Sequence, residues 1–169
     1  MRAIALLIII AVMLVPALAA DEMIAITDEE GRNVTVPFNP SSIICLSPGA
    51  AEVIYALGES DRIIAVTDDC DMPPALLEKE SIVKSSRNAD LERIIELNPD
   101  LVIAKTGGLF PEEDEQKLTD YGIPVLRYRL LHINALIPMI EDLGRILGEE
   151  EDARDMGNDI SGYCDSVLD

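Results

Sequence analysis

The stretch IICLSPGAAEVIYALGESDRIIAV, residues 43–66, decides the fold. Ile43 to Leu46 is an apolar run without polar alternation, the pattern of a strand covered on both faces. Ser47-Pro48-Gly49 is a turn, and Ala50 to Leu57 has helical spacing, with Gly58 placed to end the helix. Ile63 to Val66 repeats the buried-strand pattern. A strand, a helix and a second strand in this order predict a right-handed βαβ unit with parallel strands.

Further elements extend it on both sides. Downstream, Leu91 to Leu97 reads as a helix with Asp90 as N-cap and Pro99 beyond its end. Leu101 to Ala104 is a third strand, and Pro111 stands at the first position of a helix over Glu112 to Tyr121. Gly122 ends that helix and Pro124 to Tyr128 is a fourth strand. From about Asn134 to Leu168 the chain is helical in two stretches with a weak point at Gly148. Upstream, Ile24 to Thr27 and Asn33 to Val36 flank Asp28-Glu29-Glu30-Gly31 as a β-hairpin. The expected fold class is α/β: a three-layer α/β/α lobe with a parallel sheet, an N-terminal β-hairpin and a long C-terminal helix. In such a sheet, ligands bind where the loops leave the carboxyl ends of the strands. Those loops are Ser47-Pro48-Gly49, Thr67 to Pro74, Lys105 to Leu109 and Arg129 to His132.

The N-terminal residues read MRAIALLIIIAVMLVPALAA. Arg2, the apolar run Ala3 to Val15, the breaker Pro16 and Ala17-Leu18-Ala19 make a secretory signal cleaved after Ala19. The uncharged stretch continues through Ala20, which leaves a retained N-terminal anchor open. Export places the chain in the periplasm or at the cell surface. The 32 acidic residues against 13 Lys and Arg give a net charge of −19, which repels nucleic-acid phosphates and anionic membrane surfaces.

The chemistry is sparse. No phosphate-cradling glycine loop or dinucleotide fingerprint is present, so no cofactor is expected. His132 is the only histidine, which excludes histidine-based triads and multi-histidine metal sites. No nucleophile–base pair marks an enzyme. Asp68-Asp69-Cys70-Asp71 holds metal-ligand types, but neighbouring residues do not converge on one ion without distant help, so it reads as a solvated loop. Lys105-Thr106-Gly107-Gly108 combines a cation, a hydroxyl and glycines that let a ligand approach the backbone. With cations so scarce, Arg87, Lys105, Arg127 and Arg129 suggest a local positive rim; an ordinary surface charge is the alternative for each. Cys45 reads as a buried small hydrophobe, and nothing in the spacing supports a Cys70–Cys164 disulfide, although export would permit one.

The segments IICLSPGAAEVIYAL (43–57), AVTDDCDMPP (65–74), ADLERIIELNPDLVIA (89–104), YGIPVLRY (121–128) and IEDLGRILG (140–148) occur in an order and spacing that resembles the substrate-binding proteins of ABC importers for iron(III) chelates and cobalamin. The resemblance implies two α/β lobes joined by a long helix, with the ligand in the cleft between them. With the signal at 1–19 read from the residues, it implies a first lobe at 20–133 and a connecting helix at 134–169, with the second lobe absent. It implies capture of an iron chelate, siderophore or haem, or of cobalamin, and delivery to ABC permease subunits, without catalysis. Ser47, Pro48, Gly49, Asp68, Asp69, Ser86, Arg87, Lys105, Thr106 and Arg129 become the expected ligand-binding residues. The chain has no tryptophan where cobalamin-binding relatives tend to place them, which favours an iron chelate met by Arg87, Lys105 and Arg129. The glutamate of the family's Leu-Glu motif pairs with permease arginines, a role that falls on Glu92. An exported single-lobe interaction module without transport function is the alternative, and an α/β enzyme the further one.

Overall fold

The computed structural model describes residues 22–83, 88–106, 109–128 and 133–168. The expected signal segment 1–19 and the expected site residues Ser86, Arg87 and Arg129 lie outside the described residues, as do Gly107, Gly108 and His132.

Strands β1 (Met23–Thr27) and β2 (Asn33–Pro37) form the antiparallel hairpin. Its turn is built around Asp28, whose carboxylate accepts hydrogen bonds from the Glu30 and Arg32 backbone N–H groups, each 3.0 Å. Strands β3 (Ile43–Cys45), β4 (Ile63–Thr67), β5 (Glu80–Val83), β6 (Leu101–Lys105) and β7 (Val125–Tyr128) form one sheet in the order β5-β4-β3-β6-β7, with every pairing parallel.

Helix α1 (Pro48–Ala56) follows β3, with Gly58 at φ +83°, a left-handed backbone that favours glycine. Helices α2 (Leu91–Leu97) and α3 (Glu112–Asp120) precede β6 and β7. The tail is α4 (Ile133–Leu147) and α5 (Glu150–Leu168), divided at Gly148, which also has φ +79°. The two helices approach closely near this junction. A Cβ on Gly144 would lie 2.3 Å from the Cβ of Ala153, so only glycine fits there.

Side chains of β3 alternate between the two faces of the sheet. Ile43 and Cys45 enter a core with Ile54 of α1, Leu143 of α4 and Ile26 of the hairpin. Ile44, followed by Leu46 just past the strand, enters a second core with Ile94 of α2 and Phe110 and Leu118 beside and within α3. Helices on both faces of a parallel sheet give the three layers expected, and explain why the strands read as unbroken apolar runs.

Three details differ from the sequence reading. The sheet has a fifth strand, β5, whose residues Glu80-Ser81-Ile82-Val83 begin with a charge and lie at the sheet edge, so they lack the apolar run of a central strand. Pro111 is the N-cap of α3 rather than its first helical residue, with an extended backbone at ψ 142°. Arg127 is not part of a positive rim, because it is buried at 2% exposure. Residues alternate along β7, so Leu126 and Tyr128 face one core while Arg127 points to the other side. There its guanidinium ion-pairs with Glu115 and lies over the Phe110 ring, 5.7 Å from the centroid.

Candidate functional site

Parallel strands bring all their carboxyl ends to one edge of the sheet. Because β3, β4 and β6 are neighbours, the loops that follow them meet there: Ser47-Pro48-Gly49, Asp68-Asp69 and Lys105-Thr106. The joining contact is an ion pair between Lys105 Nζ and Asp69 Oδ2, 2.7 Å, which reaches from the end of β6 to the loop after β4, past the end of β3. Asp69 also accepts a hydrogen bond from the Thr67 hydroxyl. Partial burial works against the Asp69 charge, but the bonds from Lys105 and Thr67 outweigh it and hold its carboxyl below the usual carboxylate range.

The expected residues divide by exposure. Asp68 and Asp69 are exposed, and Pro48, Gly49 and Lys105 are half-buried at the edge. Ser47 and Thr106 are buried, at 3% each. The Ser47 carbonyl accepts the Ala51 N–H at the start of α1, and the Thr106 N–H donates to the Tyr128 carbonyl at 3.1 Å. These two therefore shape the edge, while Asp68, Asp69 and Lys105 present charge at it. A recess of about 210 Å³ opens at Asp68, lined also by Val66, Thr67, Cys70, Leu76, Leu77 and Lys79. Leu77, which lines this recess with Asp68, is 63% exposed, and Met72 is 59% exposed. Sequence reasoning did not find this apolar part; Met72 and Leu77 flanking Pro73-Pro74 were the available signal. Among the described residues no group of His, Cys, Asp and Glu side chains is arranged to hold a metal ion.

Glu92 lies in the first turn of α2, exposed, and makes no ion pair among the described residues. The cap of that helix is Asp90, whose carboxylate accepts the Arg93 N–H at 3.0 Å. Arg93 itself is held by Glu80 at 2.7 Å and by Glu96 at 3.1 Å.

The family model described as periplasmic binding protein matches residues 43–167. The chain belongs to the periplasmic binding protein family. Within it, the chain is 31% identical over 132 residues to the uncharacterised ABC transporter substrate-binding lipoprotein YvrC of Bacillus subtilis, covering 77% of this chain and 41% of that protein. It is 32% identical over 124 residues to the vitamin B12-binding protein of Vibrio cholerae, covering 73% of this chain and 44% of the relative. The crystal structure of the periplasmic vitamin B12-binding protein BtuF of Vibrio cholerae superposes with a TM-score of 0.69 at 28% identity, over 78% of this chain and 51% of that one. The chain thus spans less than half the length of the curated relatives it matches.

Proposed function

We propose that the chain supplies the first lobe of an exported solute-binding protein that serves an ABC importer. The ligand is a bulky metal chelate: a ferric siderophore, haem or a corrinoid. Residues 20–133 and the helices from 134 onward act as lobe and connector. The observation that carries this reading is the strand-end edge, where the Lys105–Asp69 pair joins two loops and the neighbouring Asp68 shares a recess with the exposed Leu77, in a member of this family. Both relatives named above are substrate- or B12-binding proteins, which supports binding rather than catalysis as its chemistry. Arg87 and Arg129, flanking the same edge in sequence, would add positive charge toward an anionic siderophore.

One lobe offers about half of a two-lobed cleft. Half the contacts are then missing while the association entropy is still lost, so binding by this chain alone is weak. The expected dissociation constant lies above about 10 μM, on the order of −7 kcal/mol or weaker. Calorimetry with cyanocobalamin, haemin and a panel of ferric siderophores tests it. Saturable binding of one chelate class in this range, lost on Lys105→Glu, supports the reading. No saturable binding of any of them at millimolar concentration refutes the ligand class, and submicromolar binding by the monomer refutes the half-site.

The second reading is an exported single-lobe interaction module that pairs with another chain. Co-purification with another exported chain, without chelate binding, would support it.

A further inference from the structure

Cys45 is the last residue of β3 and lies directly opposite Val66 of β4. Adjacent strands are only about 4.8 Å apart. One residue beyond Val66 the chain turns: the Cys70 N–H donates to the Thr67 carbonyl at 2.9 Å, which folds Cys70 back over the end of β4. Both cysteine side chains enter the same core, at 0% and 2% exposure. The Thr67 hydroxyl lies 3.5 Å from Cys70 Sγ. Both are free thiols here, and Cys45 is near enough to be influenced by the charge of Cys70.

We propose that Cys45 and Cys70 are a disulfide-forming pair, joined when the chain folds in an oxidising compartment. The bond fastens the loop carrying Asp68 and Asp69 to the end of β3, and so fixes two loops of the strand-end edge relative to each other. Because both cysteines lie at this edge, the inference stands whatever ligand the edge takes.

Burial pushes both thiols above the ordinary cysteine range, so the closed fold holds little thiolate and the pair is inert once packed. Bond formation therefore belongs to the folding chain, before β3 and β4 close over it. One thiol loses its proton and attacks the S–S bond of a disulfide donor, such as oxidised glutathione or an exported protein disulfide. The second thiol, also deprotonated, displaces the donor's remaining sulfur. Two electrons and two protons pass to the donor, which leaves as two thiols, and the Cys45–Cys70 bond remains. Cys164, half-exposed on α5, is left as the free thiol.

The test refolds the full chain, reduced and unfolded, in a buffer of oxidised and reduced glutathione. Remaining thiols are alkylated under denaturing conditions and peptides are mapped by mass spectrometry; Arg62 provides a cleavage site between the two cysteines. The expected product links residues 45 and 70, carries one alkylated thiol at Cys164, and melts about 5–10 °C above protein refolded in excess dithiothreitol. Cys164→Ser keeps both the linked peptide and the shift. Three alkylated thiols, or bridges only through Cys164, overturn the proposal. A Cys45–Cys70 bond without the rise in melting temperature overturns the fastening role. The mapping is done on the unaltered chain, so its answer does not depend on whether a core variant such as Cys45→Ala folds.

Discussion

Lys105 Nζ sits 2.7 Å from Asp69 Oδ2, so the cation at the strand-end edge is already neutralised by a neighbouring loop. In the proposed function, an anionic chelate competes with Asp69 for Lys105. The pair is partly exposed, and exposed pairs are worth only about 0–1 kcal/mol. Asp69→Asn is therefore expected to lower stability by less than about 1 kcal/mol, while freeing Lys105 and strengthening the binding of anionic ferric siderophores several-fold over neutral ones. Urea denaturation and parallel titrations measure the two effects. Equal or weaker binding of the anionic ligands would show that Lys105 does not face them.

The pair on β7 behaves differently because it is buried. Glu115 holds both Arg127 and, at 2.5 Å, Arg32 of the hairpin turn, and so ties α3, β7 and the hairpin together. Glu30 lies 3.8 Å from Arg127 and compensates it only in part. Glu115→Ala leaves the Arg127 charge buried with a distant partner, so the expected loss is about 3–5 kcal/mol, a fall in Tm of roughly 6–20 °C. Arg127→Met removes the buried charge itself, leaves Glu115 with Arg32, and is expected to cost far less. Thermal melts of the two variants decide it: equal losses would mean that packing, not the uncompensated charge, sets the cost.

Two carboxylates give stability opposite dependences on pH. Burial raises the Asp142 carboxyl above the usual range, and Glu141 adds to this, although Arg145 and Tyr128 oppose it. The folded state then holds the Asp142 proton more tightly than the unfolded state does, so this group favours folding at low pH and that contribution is lost as pH rises through its folded pKa. Asp100 has the opposite sign. Burial disfavours its charge, but hydrogen bonds from Ser41 and Ser42, at 2.8–2.9 Å, more than offset this and hold it low. Its contribution is present above the unfolded value near 3.8 and is lost as pH falls through the lower folded pKa. Asp142→Asn is expected to raise Tm at pH 7 relative to pH 4, and Asp100→Asn to lower Tm at pH 7 while flattening the acid limb. Melting curves from pH 2 to 8 check both; an unchanged acid limb in Asp100→Asn would remove its role.

What could be read ahead of the structure follows from range. The runs at Ile43, Ile63 and Leu101 are local signals, since a strand covered on both faces must be apolar throughout, and their order alone places the loops at one edge. Asp90 was legible for the same reason, because a cap acts on the residues just after it. Arg127 was not: its partner Glu115 lies on another element and Glu30 in the hairpin, so burial with compensation is a long-range property that leaves no local mark. Likewise, the pairing of Lys105 with Asp69 depends on β3, β4 and β6 being neighbours, and it turned an expected free cation into a bound one. The edge strand β5 escaped notice because a short edge strand has no obligatory apolar pattern.

Glu92 tests whether the exposed start of α2 contacts a permease. An acid in a helix's first turn stabilises the helix by about 0.3–1 kcal/mol through the positive end of the dipole, and this alone would justify its presence. Here Asp90 already provides the cap, and Glu92 points outward while Ile94 packs into the core. Removing Glu92 should therefore cost at most about 1 kcal/mol, a shift in Tm of a few degrees. A desolvated pair at a docked interface is worth more, about 2–5 kcal/mol when one partner is removed. Docking through Glu92 alone is expected to be weak and salt-sensitive. Pull-down of the cognate permease in detergent, at low and at high salt, measures docking, and a melting curve measures the fold. The expected result is capture at low salt by the unaltered chain and none by Glu92→Ala, with both melting within a few degrees of each other. Capture that survives Glu92→Ala would place the contact elsewhere on the lobe, and a large drop in Tm would mean that the residue serves the helix.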